Sequence, residues 1–134
     1  MASILIIDDE EDIRDALQMI LQRAGYDVMV ASNGSEAIEL QRGEPADLII
    51  TDIIMPEKDG VTTIKEIREE FPGTRIIAIS GGGGVQPVEY VPEAITTTAY
   101  LAAAKEVGAD MVFTKPFERK DLINAVYELL AKVH

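Results

Sequence analysis

Ile4-Leu5-Ile6-Ile7-Asp8-Asp9 is an unbroken aliphatic run that ends abruptly in two carboxylates. A run this short, with no polar alternation, predicts a strand buried on both faces, and such strands belong to parallel sheets covered by helices on either side. The period then changes. Ile13, Leu17, Ile20, Leu21 and Ala24 recur at helical spacing and stop at Gly25, a good C-terminal signal. The same switch repeats down the chain. Val28–Ala31 reads as a strand and Ser35–Arg42 as a short helix ended by Gly43. Leu48–Thr51 is a third strand, followed by a helix marked by Val61, Ile64, Ile67 and Phe71 and cut off by Pro72. Ile76–Ile79 is the fourth strand. A helix lies between Pro92 and Val107, closed by Gly108, with Leu101, Ala104 and Val107 inward. Met111–Thr114 is the fifth strand, and Leu122, Ile123, Val126, Leu129, Leu130 and Val133 mark the last helix.

Five strands in alternation with helices predict an α/β fold with a doubly wound parallel sheet. Right-handed crossovers leave few topologies, and the flavodoxin-like (βα)5 arrangement, strand order 2-1-3-4-5, suits 134 residues best. One domain over residues 1–134 is expected, with no repeat and no low-complexity tail. The 24 acidic residues outnumber the 12 basic ones and leave a net charge of -12, so nucleic acid and anionic membrane surfaces are disfavoured partners. With no cysteine, disulfides, thiolate zinc sites and a cysteine nucleophile are excluded. A membrane span needs about 20 apolar residues and a secretory signal about 7–15, and neither run is present. A cytoplasmic location is expected.

In sheets of this kind ligands sit beyond the carboxyl ends of the strands. The first strand ends in Asp8-Asp9 and then Glu10, the third in Asp52, the fourth in Ser80, and the fifth runs into Lys115-Pro116. The proposed order makes these strands neighbours, so three carboxylates, a hydroxyl and an ammonium converge. Each residue taken singly has an ordinary structural explanation. Asp8 or Asp9 could cap the first helix, and Lys115 could pair with any nearby acid. Together, packed carboxylates repel one another and call for a cation. Oxygen ligands without cysteine, and with the only histidine at the terminus (His134), point to Mg²⁺ before Zn²⁺.

Ile6-Ile7-Asp8-Asp9-Glu10, Asp52-Ile53-Ile54-Met55-Pro56 with Asp59-Gly60, Ser80-Gly81, and Gly108-Ala109-Asp110 leading to Lys115-Pro116-Phe117 resemble the receiver domain of two-component response regulators. The resemblance covers essentially the whole chain with every motif in order. It implies that Asp52 is the phosphoacceptor, and that Asp9, Asp52 and the backbone carbonyl of Ile54 bind Mg²⁺ directly while Asp8 acts mainly through water. It further implies that Ser80 and Lys115 hold phosphoryl oxygens, that Gly81 leaves the site open to the donor, and that the Lys115–Pro116 bond is cis. The implied partners are a sensor histidine kinase or phosphotransfer protein and a downstream protein target. The implied activity is at most the domain's own phosphoryl transfer and dephosphorylation.

The chain departs from this pattern in two places. Thirty-four residues separate Ser80 from Lys115, whereas a helix, a strand and two ordinary connections would use roughly 21–29. The surplus falls in Gly81–Pro92, readable as a flexible surface loop or, given Val85, Val88, Tyr90 and Val91, as a mobile cover or docking segment. Second, Val112 stands where receivers usually carry an aromatic switch residue, and strand alternation points the adjacent Phe113 to the opposite face. The leading expectation is therefore a stand-alone phosphorylatable receiver. A receiver-like module that binds a partner without phosphorylation is the alternative. A small phosphatase or nucleotide enzyme fits less well. Ile54 stands where aspartyl phosphatases usually place a second acid, and Gly81–Gly84 has neither a dinucleotide nor a P-loop spacing.

Overall fold

In a computed structural model of the chain, residues 2–53, 60–80, 102–114 and 118–131 are described. Five strands form one parallel sheet: β1 (Ser3–Ile7), β2 (Asp27–Ala31), β3 (Leu48–Asp52), β4 (Arg75–Ser80) and β5 (Met111–Thr114). Their order is β2-β1-β3-β4-β5, as the alternating pattern predicts. The helices are α1 (Glu11–Arg23), α2 (Gly34–Gly43), α3 (Gly60–Glu70), the helical residues 102–107 as α4, and α5 (Arg119–Ala131). None of the described helices is long and apolar enough to cross a membrane.

The position of each strand explains its composition. Central β3 is buried throughout, whereas the edge strands β2 and β5 are only partly covered. Side chains alternate across the sheet and build two cores. Leu5, Ile7, Ile49, Ile76 and Ala78 pack with Ala37 and Ile38 of α2, Ile64 and Ile67 of α3 and Ala104 of α4. Ile4, Ile6, Leu48, Ile50, Ile77 and Ile79 pack on the other face with Leu17 and Leu21 of α1 and Leu122, Val126 and Leu129 of α5. The expected stop of α1 at Gly25 is real: its φ is +101°, which a side chain would resist, and the Tyr26 N–H returns to the Leu21 carbonyl at 3.2 Å.

The end of the sheet away from Asp52 is tied by polar groups. Arg68 donates to the carbonyls of Pro72 (2.7 Å), Thr74 (2.6 Å) and Gly108 (2.8 Å) and to the Asp110 carboxylate (3.1 Å). Asp110 also accepts the Ile76 N–H at 2.8 Å. Asp110, quoted within the Gly108-Ala109-Asp110 motif, therefore fastens the entry of β5 to α3 and β4 rather than lining the cleft.

Candidate functional site

Parallel register brings the acids together. Ile7 of β1 pairs with Thr51 of β3, so the next residue on each strand, Asp8 and Asp52, leaves the sheet side by side. Both are buried, at 3% and 7% exposure, while Asp9 is exposed. One carboxylate oxygen from each of Asp8, Asp9 and Asp52 lies within 4.8 Å of the others.

Asp8 is held by its surroundings. Its N–H donates to the Ala31 carbonyl at 3.2 Å, its Oδ1 accepts the Glu10 N–H at 2.9 Å, and its carbonyl accepts an Arg14 N–H at 2.8 Å. The N-cap of α1 is Glu10, with no side-chain capping bond, so a helix cap does not account for the Asp8-Asp9 pair. Neither composition nor periodicity singles out Arg14; its place on the first turn of α1, over the Asp8 carbonyl, shows only in the folded chain.

Asp52 is fixed from its own strand and from α3. The Thr51 hydroxyl donates to the Asp52 carbonyl at 2.9 Å, and the Ile53 N–H donates to the Ile79 carbonyl at 3.0 Å. Gly60, the first residue of α3, donates its N–H to the Ile53 carbonyl at 2.6 Å. A Cβ there would stand 2.3 Å from the Asp52 carbonyl oxygen, so only glycine permits this approach.

Ser80 takes the last position of β4, paired with Thr114. Val112 pairs with Ala78 and packs into the core under α2, α3 and α4, whereas Phe113 joins the core under α1 and α5. The two neighbours thus face opposite sides, as strand alternation predicts. Ile54, Lys115, Pro116 with its expected cis bond, and the Gly81–Pro92 segment lie outside the described residues.

The acid cluster suits a hard divalent cation. Oxygens on one octahedral Mg²⁺, at 2.0–2.1 Å from the metal, lie roughly 2.9 Å apart when adjacent and about 4.1 Å when opposite. The three carboxylate oxygens, within 4.8 Å of one another, are spaced on the scale of the ligand shell of such an ion. Among the described residues, no histidine or cysteine joins them in the cluster.

Residues 4–127 match the response regulator receiver domain. This chain belongs to that family. The receiver is 33% identical over 136 residues to the sensor kinase CckA of Brucella abortus, and 33% identical over 129 residues to the alkaline phosphatase synthesis transcriptional regulatory protein PhoP of Bacillus subtilis. These alignments take in 98% and 96% of the receiver but only 13% and 48% of the two relatives. Its fold superposes on a receiver domain protein from Clostridium thermocellum with a TM-score of 0.83 and 26% identity, covering 98% of this chain and 96% of the other. Receiver domains are phosphorylatable signalling switches rather than classical enzymes.

Proposed function

We propose that this receiver accepts a phosphoryl group on Asp52 from a sensor histidine kinase or phosphotransfer protein, and signals through contacts with a downstream protein. The observation that carries the reading is the meeting of the Asp8, Asp9 and Asp52 carboxylates within 4.8 Å at neighbouring strand ends. Asp52 is the nucleophile: a carboxylate oxygen attacks phosphorus in line with the departing donor atom, and a mixed anhydride forms. Its place at the end of a fully buried strand limits the directions from which a donor can reach it. Asp9 and Asp52, with the Ile54 carbonyl, hold Mg²⁺, and Asp8 acts through water. When bound, the ion offsets the repulsion between the acidic pocket and the incoming phosphoryl dianion. Lys115 and Ser80 hold two of the phosphoryl oxygens. The names of the relatives, a sensor kinase and a transcriptional regulatory protein, support a place in a phosphotransfer chain.

Incubation with acetyl phosphate and Mg²⁺, followed by intact-mass measurement, tests this directly. One phosphoryl adduct is expected, lost in Asp52→Asn and absent in EDTA. Labelling that persists in either control would remove Asp52 from the role. A complete lack of adduct on the wild type would favour a module that binds its partner without phosphorylation.

A further inference from the structure

We propose that Arg14 is a positioning residue for the metal site: its guanidinium grips the peptide that joins Asp8 to Asp9 and so sets the angle between the two carboxylates. The inference rests on reading Asp9 as a direct Mg²⁺ ligand and Asp8 as acting on the ion through water.

β1 ends at Ile7 and α1 starts at Glu11, so the Asp8 carbonyl lies in the connection between the two elements. A part-buried backbone carbonyl is stabilised by a donor. Arg14 Nη1 supplies one at 2.8 Å. The peptide unit is planar, so fixing its carbonyl fixes the rotations on either side of it, ψ of Asp8 and φ of Asp9. With the Asp8 N–H on Ala31 and Oδ1 on Glu10, the Arg14 contact leaves the turn little freedom. Arg14 is itself anchored, its N–H donating to the Glu10 carbonyl at 3.0 Å, and its side chain is half-buried. The charge also reaches Glu36 in the first turn of α2. That carboxyl is held below its ordinary range first by the Ser32 backbone N–H and hydroxyl, and to a lesser degree by the Arg14 charge.

A positioning role and a purely electrostatic one differ in sign. A cation beside the site repels Mg²⁺, so if Arg14 acted by charge alone, its removal would tighten Mg²⁺ binding. If it holds the carboxylates in place, its removal weakens binding, as loss of a group that orients metal ligands does by 10–100-fold elsewhere. Isothermal calorimetry with Mg²⁺ on wild type, Arg14→Met and Arg14→Gln decides the matter. Gln retains good helix propensity should Met unfold the chain. Affinity is expected to fall by roughly ten-fold in either variant. Without metal, NMR should show the Asp8 carbonyl carbon and the Asp9 amide nitrogen, the two ends of the gripped bond, shifting more than other residues of α1. Variants that bind Mg²⁺ as tightly as wild type, or more tightly, overturn the proposal. Unchanged Asp8 and Asp9 resonances overturn it as well. Failure of the wild type to bind Mg²⁺ would instead defeat the metal reading, while the metal-free shifts would still report on the grip.

Discussion

Gly60 packs its backbone against Asp52 so closely that a Cβ would meet the Asp52 carbonyl oxygen at 2.3 Å. The start of α3 and the end of β3 are thereby locked together at the residue proposed to receive the phosphoryl group. Gly60→Ala forces α3 outward or bends β3. Overpacking of this kind costs roughly 1–3 kcal/mol, and the urea midpoint should drop accordingly. Acetyl phosphate labelling of the folded variant should also slow, because Asp52 moves with its carbonyl. Wild-type stability in Gly60→Ala would show that the two backbones separate without cost.

Without a divalent ion, repulsion among the three carboxylates is expected to lower the stability of the folded chain. Two are buried, and oxygens within 4.8 Å repel one another even at a high effective dielectric constant. Asp52→Asn keeps the shape and removes one charge. In EDTA it should unfold later than wild type, by on the order of 1 kcal/mol after allowance for partial solvent screening. Adding Mg²⁺ should raise the wild-type Tm and raise that of Asp52→Asn less. Thermal scans with and without Mg²⁺ check both halves, and a lower Tm for Asp52→Asn in EDTA would contradict the repulsion argument.

Glu36 links acid sensitivity to the start of α2. Asn33 caps the helix by accepting the Glu36 N–H at 2.8 Å, and Glu36 Oε1 reaches back to the Ser32 N–H at 2.8 Å and hydroxyl at 3.0 Å. These bonds favour the ionised carboxyl and lower its pKa from 4.5. A carboxyl depressed in the folded state stabilises above its unfolded pKa, and that contribution fades as pH falls through the folded value. Glu36→Gln should therefore cost less than about 1 kcal/mol at neutral pH, for an exposed group. The difference from wild type should vanish well below pH 4.5. Denaturation at several pH values measures it; a gap that widens on acidification would reverse the assigned sign.

Val112 bears on how a signal leaves the site. Beside Ala78 and facing the α2–α4 core, it has two methyls on a stiff β-branched side chain, and it can neither fill nor vacate an aromatic-sized space. Phe113 is committed to the other core. Beryllofluoride with Mg²⁺, as a mimic of the phosphorylated state, should therefore shift amide resonances of residues 81–107 far more than those of Val112 and Phe113. Effects centred on β5 would place the route there instead.

Local sequence carried the element boundaries well. Met111–Thr114 spans the residues its pattern predicts, and the other strands extend theirs by one or two residues; in β1, β3 and β4 burial on both faces leaves a continuous aliphatic signature that does not depend on distant neighbours. Strand order was legible too, since handedness and chain length admit few alternatives for five alternating units. That Asp8, Asp9 and Asp52 share a cleft follows from that order together with their places at strand ends. What no local pattern encodes is a contact made across elements. Arg14 looks like any polar residue on an amphipathic helix until the turn of β1 folds beneath it. Gly60 looks like a helix-start glycine until the Asp52 carbonyl stands where its side chain would be. Asp110 sits in a motif that leads to Lys115, yet its carboxylate serves Arg68 and Ile76 at the other end of the sheet. Periodicity reports which side of an element is buried, because burial depends on the chain's own repeat. The identity of the buried neighbour depends on residues tens of positions away, and only the closed sheet supplies it.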